Sequence, residues 1–358
     1  MPPLLRQILS AAAGVAVALV LVWGFSWIMD SGETPAPPAP TPTAGNTVPD
    51  PAPKLPAVMP TASALPASSV PKAPAEKPVQ PVHSDTPALN EMLVSAEAQL
   101  KANPDKAEVL YRQVLQTAPD NQRAREGLIL SLTAQKKFTD LVTLYTALAA
   151  AEPNNATHLY NLAVTQTRLT RFFDAEATYA KHMTLDQTNR HAWENYANIL
   201  AVQGKLSGAL TAWKTLATLQ ATDKTPPSST WMEIARLELM LEDEDGAKTA
   251  FAQVLELTTK AEQSAAPVRT AIAELWSQFG HHGIALANLK LAFRNDGKAP
   301  EPWRVQGNVY LRMYGETGDK EHLGRAIHDW QTSLRCNRNQ PKLKERLNSA
   351  KLLFVKPE

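Results

Sequence analysis

The feature that most constrains this chain is a spacing. Tyr111, Tyr145, Tyr179 and Trp213 stand 34 residues apart, and Phe251, Leu289 and Trp330 continue the series at intervals of 38, 38 and 41. Four residues before each of these is a small or aliphatic residue: Ala107, Leu141, Ala175, Ala209, Ala247, Ala285 and Ala326. Twelve residues before those lies a second series, Ser95, Ile129, Ala163, Ala197, Ala235 and Ala273; in the last unit its match is Gly307, 19 before Ala326. Large anchors, Leu159, Trp193, Trp231 and Trp303, precede several members of that series by four residues. Apolar residues inside each unit recur at helical spacing. Each unit therefore reads as two antiparallel helices, with small residues where they cross and aromatics filling the gap to the next unit. Such a unit leaves an apolar face open, so neighbours must stack.

This pattern resembles the tetratricopeptide repeat (TPR) family. The clearest copy is Leu159-Tyr160-Asn161-Leu162-Ala163 followed by Phe172-Phe173-Asp174-Ala175-Glu176-Ala177-Thr178-Tyr179. The next is Trp193-Glu194-Asn195-Tyr196-Ala197 followed by Gly204-Lys205-Leu206-Ser207-Gly208-Ala209 and Trp213, and Pro119 and Pro153 close their units. The resemblance implies an all-α fold: a superhelical solenoid of about seven helical hairpins over 88–340, capped by a C-terminal helix and tail at 341–358. The last unit carries extra residues near Tyr314–Asp319, read as a longer turn or helix.

The resemblance also places a binding groove. The first helix of each hairpin in such arrays lines it, and Asn two positions before the small residue often holds a ligand's backbone. Asn161 and Asn195 occupy that position. Tyr160, Arg168, Glu194, Asn198 and Arg236 share the inferred face. Amides supply the alternating donors and acceptors that an extended peptide needs, and arginines favour a carboxylate or phosphate. Ser229 and Glu233 stand where a strict carboxylate clamp would place further basic groups.

The rest of the chain is a different material. Of 28 prolines, sixteen fall between Pro35 and Pro87. Residues 30–87 are rich in Pro and Ala and lack aromatics, which predicts a disordered linker. Extended as polyproline II it would reach on the order of 170 Å. Before it, no charged residue occurs from Gln7 to Met29. The run 8–29 would span roughly 33 Å as a helix, enough for a bilayer core, and Trp23 and Trp27 sit where rings favour the interface. A cleaved signal peptide is the alternative, although the apolar run is longer than a usual h-region. Arg6 precedes the run, while Asp30 and Glu33 follow it with no Lys or Arg before Lys54. That asymmetry predicts a cytoplasmic 1–7, a single-pass inner-membrane anchor and a periplasmic solenoid. The layout is similar to TPR subunits of bacterial cytochrome c biogenesis, and to accessory TPR proteins of pilus, secretion and polysaccharide-export systems.

Chemistry is sparse. Balanced charge, 36 Lys+Arg against 35 Asp+Glu, excludes a chain-wide footprint for nucleic acid. One cysteine, Cys336, excludes an intrachain disulfide and reads as a half-buried helix-end residue. No Gly-rich phosphate loop, HExxH or GxSxG occurs. His281-His282 reads as a polar turn with no carboxylate at useful spacing, and Glu242–Asp245 as a solvated loop. From Arg335 to Lys356 seven Lys/Arg face one acid, a solvated cap or a contact for an acidic partner or membrane surface. The expectation is a non-enzymatic scaffold or assembly factor of a cell-envelope complex. It takes a protein or peptide partner and no small-molecule substrate, cofactor, metal or nucleic acid. The alternative is a chaperone-like groove binder of an extended client, such as an apocytochrome or a pilus, secretion or export component.

Overall fold

The computed structural model describes residues 87–223, 227–261, 263–295 and 298–355. The expected cytoplasmic start (1–7), membrane helix (8–29) and almost all of the linker (30–87) lie outside the described residues. Among the described residues every regular element is an α-helix, and no helix is long and apolar enough to cross a membrane. The helices are α1 (Pro87–Leu100), α2 (Pro104–Thr117), α3 (Gln122–Ala134), α4 (Phe138–Ala151), α5 (Ala156–Arg168), α6 (Phe172–Leu185), α7 (Arg190–Val202), α8 (Leu206–Gln220), α9 (Ser228–Met240), α10 (Glu244–Lys260), α11 (Ala265–Gln278), α12 (His282–Asn295), α13 (Pro300–Thr317), α14 (Lys320–Cys336) and α15 (Pro341–Val355). They divide between two compact units, one ending at Leu141 and the other beginning at Val142, so α4 spans the division.

Local chemistry sets the helix ends at the repeat period. Asn121, Asn155 and Asn189 cap α3, α5 and α7, each side chain accepting a backbone N–H one turn in. The first helix of each pair then stops at a residue in the left-handed region: Lys136, Thr170, Gly204, Glu242, Gly280 and Gly318. After five of the six, the next residue's N–H reaches back to a carbonyl five positions earlier, as Arg171 does to Gln166 and Lys205 to Leu200. This is the bond pattern that satisfies the orphan carbonyls of a helix end. The following helix can then begin at once and run back along its partner.

In the first unit α1 pairs with α2, and α3 rests on both. The sequence register is corrected here: Ala96, not Ser95, is the buried small residue of α1. The step from Ala96 to Ala107 is eleven residues, because α1 ends four residues after Ala96, whereas α5 runs five past Ala163 and α7 five past Ala197. Gly127 meets Tyr111 so closely that a Cβ there would lie 2.1 Å from the ring.

In the second unit five hairpins follow one another, α5/α6 to α13/α14, each touching the next. Both repeat series are buried as the spacing required. Ala163, Ala175, Ala197, Ala209, Ala235, Ala247, Ala273, Ala285 and Ala326 are all solvent-inaccessible, as are Tyr179, Leu289 and Trp330. One continuous apolar core runs from Ala197 to Val309. The extra residues of the last unit lengthen α13, which ends at Gly318. The cap is α15, whose Leu343, Leu347 and Ala350 close over Leu323 and Trp330.

Candidate functional site

The polar residues singled out in the sequence all lie in the second unit, on the first helices α5, α7 and α9. Tyr160, Asn161 and Arg168 share one stripe of α5, and Glu194, Asn195 and Asn198 the corresponding stripe of α7, since residues three, four and seven or eight apart line one helical face. α5 and α7 touch directly. Arg236 lies on α9.

Their surroundings differ. Asn161 and Asn198 are half-buried and their amides make no hydrogen bond among the described residues. Asn195 is not equivalent to Asn161. It sits beside the hydroxyl of Tyr179, as does Thr167, and that hydroxyl is buried without a well-formed hydrogen bond. Burial holds the Tyr179 phenol far above its ordinary range. Tyr160 meets Tyr179 edge-on at 6.2 Å and lies 5.7 Å from the His182 ring. Tyr160 is therefore part wall and part surface.

Electrostatics concentrate at the α7–α9 end. Burial pushes the Glu194 carboxyl above its ordinary value; nearby His191 offsets part of that, and Glu233 adds to it. Glu233 in turn takes both the Nε and the Nη2 of Arg236. Arg236 is thus engaged one turn away on its own helix, and it presents a neutralised pair next to a half-buried carboxylate. The stripe offers amide donors and acceptors, aromatic edges and a few charges.

Other singled-out groups change meaning in the fold. His281 and His282 do find carboxylates, from distant parts of the chain. His281 Nδ1 lies 3.3 Å from Glu244 on α10, and His282 bridges Ser277 Oγ (3.1 Å) and Glu316 Oε1 (2.9 Å). They tie consecutive hairpins together, and among the described residues no group of three or more metal-ligating side chains forms. Within the acidic run, Asp243 caps α10 through the Gly246 N–H and Asp245 pairs with Lys248. Cys336, expected half-buried, is exposed as the last residue of α14. His182, which belongs to no sequence motif, meets the Ala156 carbonyl through Nδ1 at 2.9 Å inside the α5/α6 hairpin. Its position, three after Tyr179 where Leu216 and Val254 stand in later units, was the available signal.

No family model and no curated protein matches the chain. Solved structures similar to it include a tetratricopeptide repeat protein from Parabacteroides merdae ATCC 43184, with 17% identity, 74% of this chain and 100% of that chain covered, and a TM-score of 0.46. A second is YrrB, described as a TPR protein with an unusual peptide-binding site, at 14% identity, 56% and 96% coverage and a TM-score of 0.37. A third is MamA from Desulfovibrio magneticus RS-1, at 12% identity, 48% and 96% coverage and a TM-score of 0.40. With scores this low, the hairpin architecture stands on the chain's own helix ends and buried series.

Proposed function

We propose that this chain is a non-catalytic scaffold of the tetratricopeptide kind, tethered to the inner membrane through residues 8–29, with its helical hairpins working outside the cytoplasm in the assembly of a cell-envelope complex. The observation that carries the interaction surface is the pair of amides on adjacent first helices, Asn161 and Asn198, which have no partner within the described residues. Half-buried amides that make no bond within the described residues are free to give and accept the hydrogen bonds of a polypeptide backbone. Glu194, Asn195, Tyr160, Arg168 and Arg236 flank those amides. The same observation favours the chaperone-like reading, in which one extended client segment lies along the stripe.

The test uses the full-length protein in its own membrane. Photo-crosslinking from the α5–α7 face followed by pull-down should recover a specific partner. Asn161→Ala with Asn198→Ala should reduce that recovery at least tenfold without changing the thermal midpoint. Unchanged recovery would remove the stripe as the binding surface. Orientation is tested separately with alkaline phosphatase fused after residue 86: an active fusion supports the extracytoplasmic placement, and an inactive one moves the hairpins to the cytoplasm.

A further inference from the structure

The last hairpin places a carboxylate where the other hairpins of the second unit have none. Three residues after the small residue of the second helix, the hairpins carry Thr178, Ala212, Ala250 and Asn288; the last carries Asp329. One residue before the small residue of the first helix they carry Leu162, Tyr196, Ile234 and Ile272; the last carries Gln306. Beside these residues α13, α14 and the end of α15 border an open cleft of about 680 Å³, lined by Gln306, Tyr310, Arg325, His328, Asp329 and Phe354.

Asp329 is the unusual member. The described residues bury three carboxylates, Glu108, Glu238 and Asp329. Glu108 is paired with Lys137 at 2.9 Å and Glu238 with Lys214 at 2.7 Å. Asp329 is 5% exposed, yet its Oδ2 is buried with no hydrogen-bond partner. The cation one turn before it is committed elsewhere: Arg325 lies 2.5 Å from Glu321 Oε1 and over the Tyr310 ring, 5.5 Å from its centroid. Tyr310 is itself stacked on His322. Burial pushes the Asp329 carboxyl up to about 7, and nearby Arg325 offsets only part of that. An alanine fits this register position at no such cost, as Ala212 and Ala250 show, so packing alone gives no reason for an aspartate here.

We propose that this cleft receives a cationic side chain of a partner polypeptide, a lysine ammonium or an arginine guanidinium, with Asp329 as its counter-ion. A cation supplies the hydrogen-bond donor that Asp329 Oδ2 lacks and adds to the partial compensation that Arg325 gives. Its aliphatic stem finds an apolar wall in Phe354, whose ring is 45% exposed. Lys320 and Arg325 balance Glu321 and Asp329 around the rim. Selection is therefore local, made by the one unpaired carboxylate and not by a net field. This site is independent of the stripe on α5, α7 and α9.

The experiment titrates full-length protein in detergent with fluorescent pentapeptides that carry Lys, Arg, Gln or Glu at the centre of an otherwise alanine sequence, read by anisotropy. The Lys and Arg peptides should bind at least tenfold tighter than the Gln and Glu peptides. That preference should vanish in Asp329→Ala and persist in Asn161→Ala with Asn198→Ala. No preference over Gln, a preference for Glu, or a preference that survives in Asp329→Ala overturns the proposal. If Asp329→Ala lowers the thermal midpoint, the isosteric Asp329→Asn gives the same reading.

Discussion

The α7/α8 and α13/α14 hairpins share one register and have different interiors. In α7/α8, Ala197 and Ala209 sit at the crossing and Trp213 fills the gap, with Ala212 beside it. In α13/α14 the crossing is tighter: a Cβ on Gly307 would lie 2.4 Å from the Trp330 ring. Trp330 is bonded through Nε1 to the Arg304 carbonyl, whereas the Trp213 Nε1 is buried without a partner. The middle hairpin thus closes on apolar residues and leaves two neutral polar atoms unpaired, Trp213 Nε1 and Gln203 Oε1. The last hairpin satisfies its tryptophan and leaves a carboxylate unpaired. A repeated unit therefore sets where helices cross, while the residues beside the crossing decide whether the unit is only structural.

The comparison can be broken most strongly through Asp329. Its folded value lies near 7 and its ordinary value is 3.8. For an acid raised in this way the folded state holds its proton longer than the unfolded state. The contribution to stability is full below about pH 4 and is lost as pH rises through about 7, a change of up to about 4 kcal/mol. Arg325, Glu321, His328, Lys320 and Tyr310 border the cleft with it. Chemical denaturation at pH 5 and pH 8 should show that slope, and Asp329→Asn should remove it; an equal slope in both proteins would show that Asp329 ionises freely. A smaller effect comes from the crossing. Gly307→Ala gives the last hairpin the residue that Ala197 provides in the middle one, and it should cost about 1–3 kcal/mol because Trp330 occupies the space. A thermal midpoint equal to that of the unaltered protein would show that α13 and α14 can part without penalty. The smallest effect separates the two tryptophans. Trp330→Phe and Trp213→Phe remove similar volume, but only the first breaks a hydrogen bond, so it should be the more destabilising by about 1 kcal/mol. Paired urea titrations measure that difference, and equal losses would count against a role for the Arg304 carbonyl.

Much of the fold was legible because the spacing of large and small residues reports a short-range steric demand. Ala163 and Ala175, or Ala235 and Ala247, are small because two backbones cross there, and no distant residue can relax that need. Ser95 stands one position from the buried Ala96 because α1 ends one residue sooner after its small residue than α5 or α7 does. The candidate stripe was legible only as a set of positions. Asn161 and Asn195 are equivalent in sequence, yet Asn195 lies beside a buried tyrosine hydroxyl and Asn161 does not. Likewise His281 and His282 had no visible carboxylate partner, since Glu244 and Glu316 lie 37 and 34 residues away along the chain.

The sequence by itself determined the helical hairpins, their order, the buried series and the amide caps at Asn121, Asn155 and Asn189, because each rests on interactions within a turn or two of helix or on one repeated crossing. Only the tertiary structure decided which charges are compensated. Glu108 and Glu238 are buried with lysines against them and Asp329 is buried without one. Pairing depends on which side chains the packed helices bring within hydrogen-bond reach, a distance that falls off far more steeply than any pattern along the chain can record.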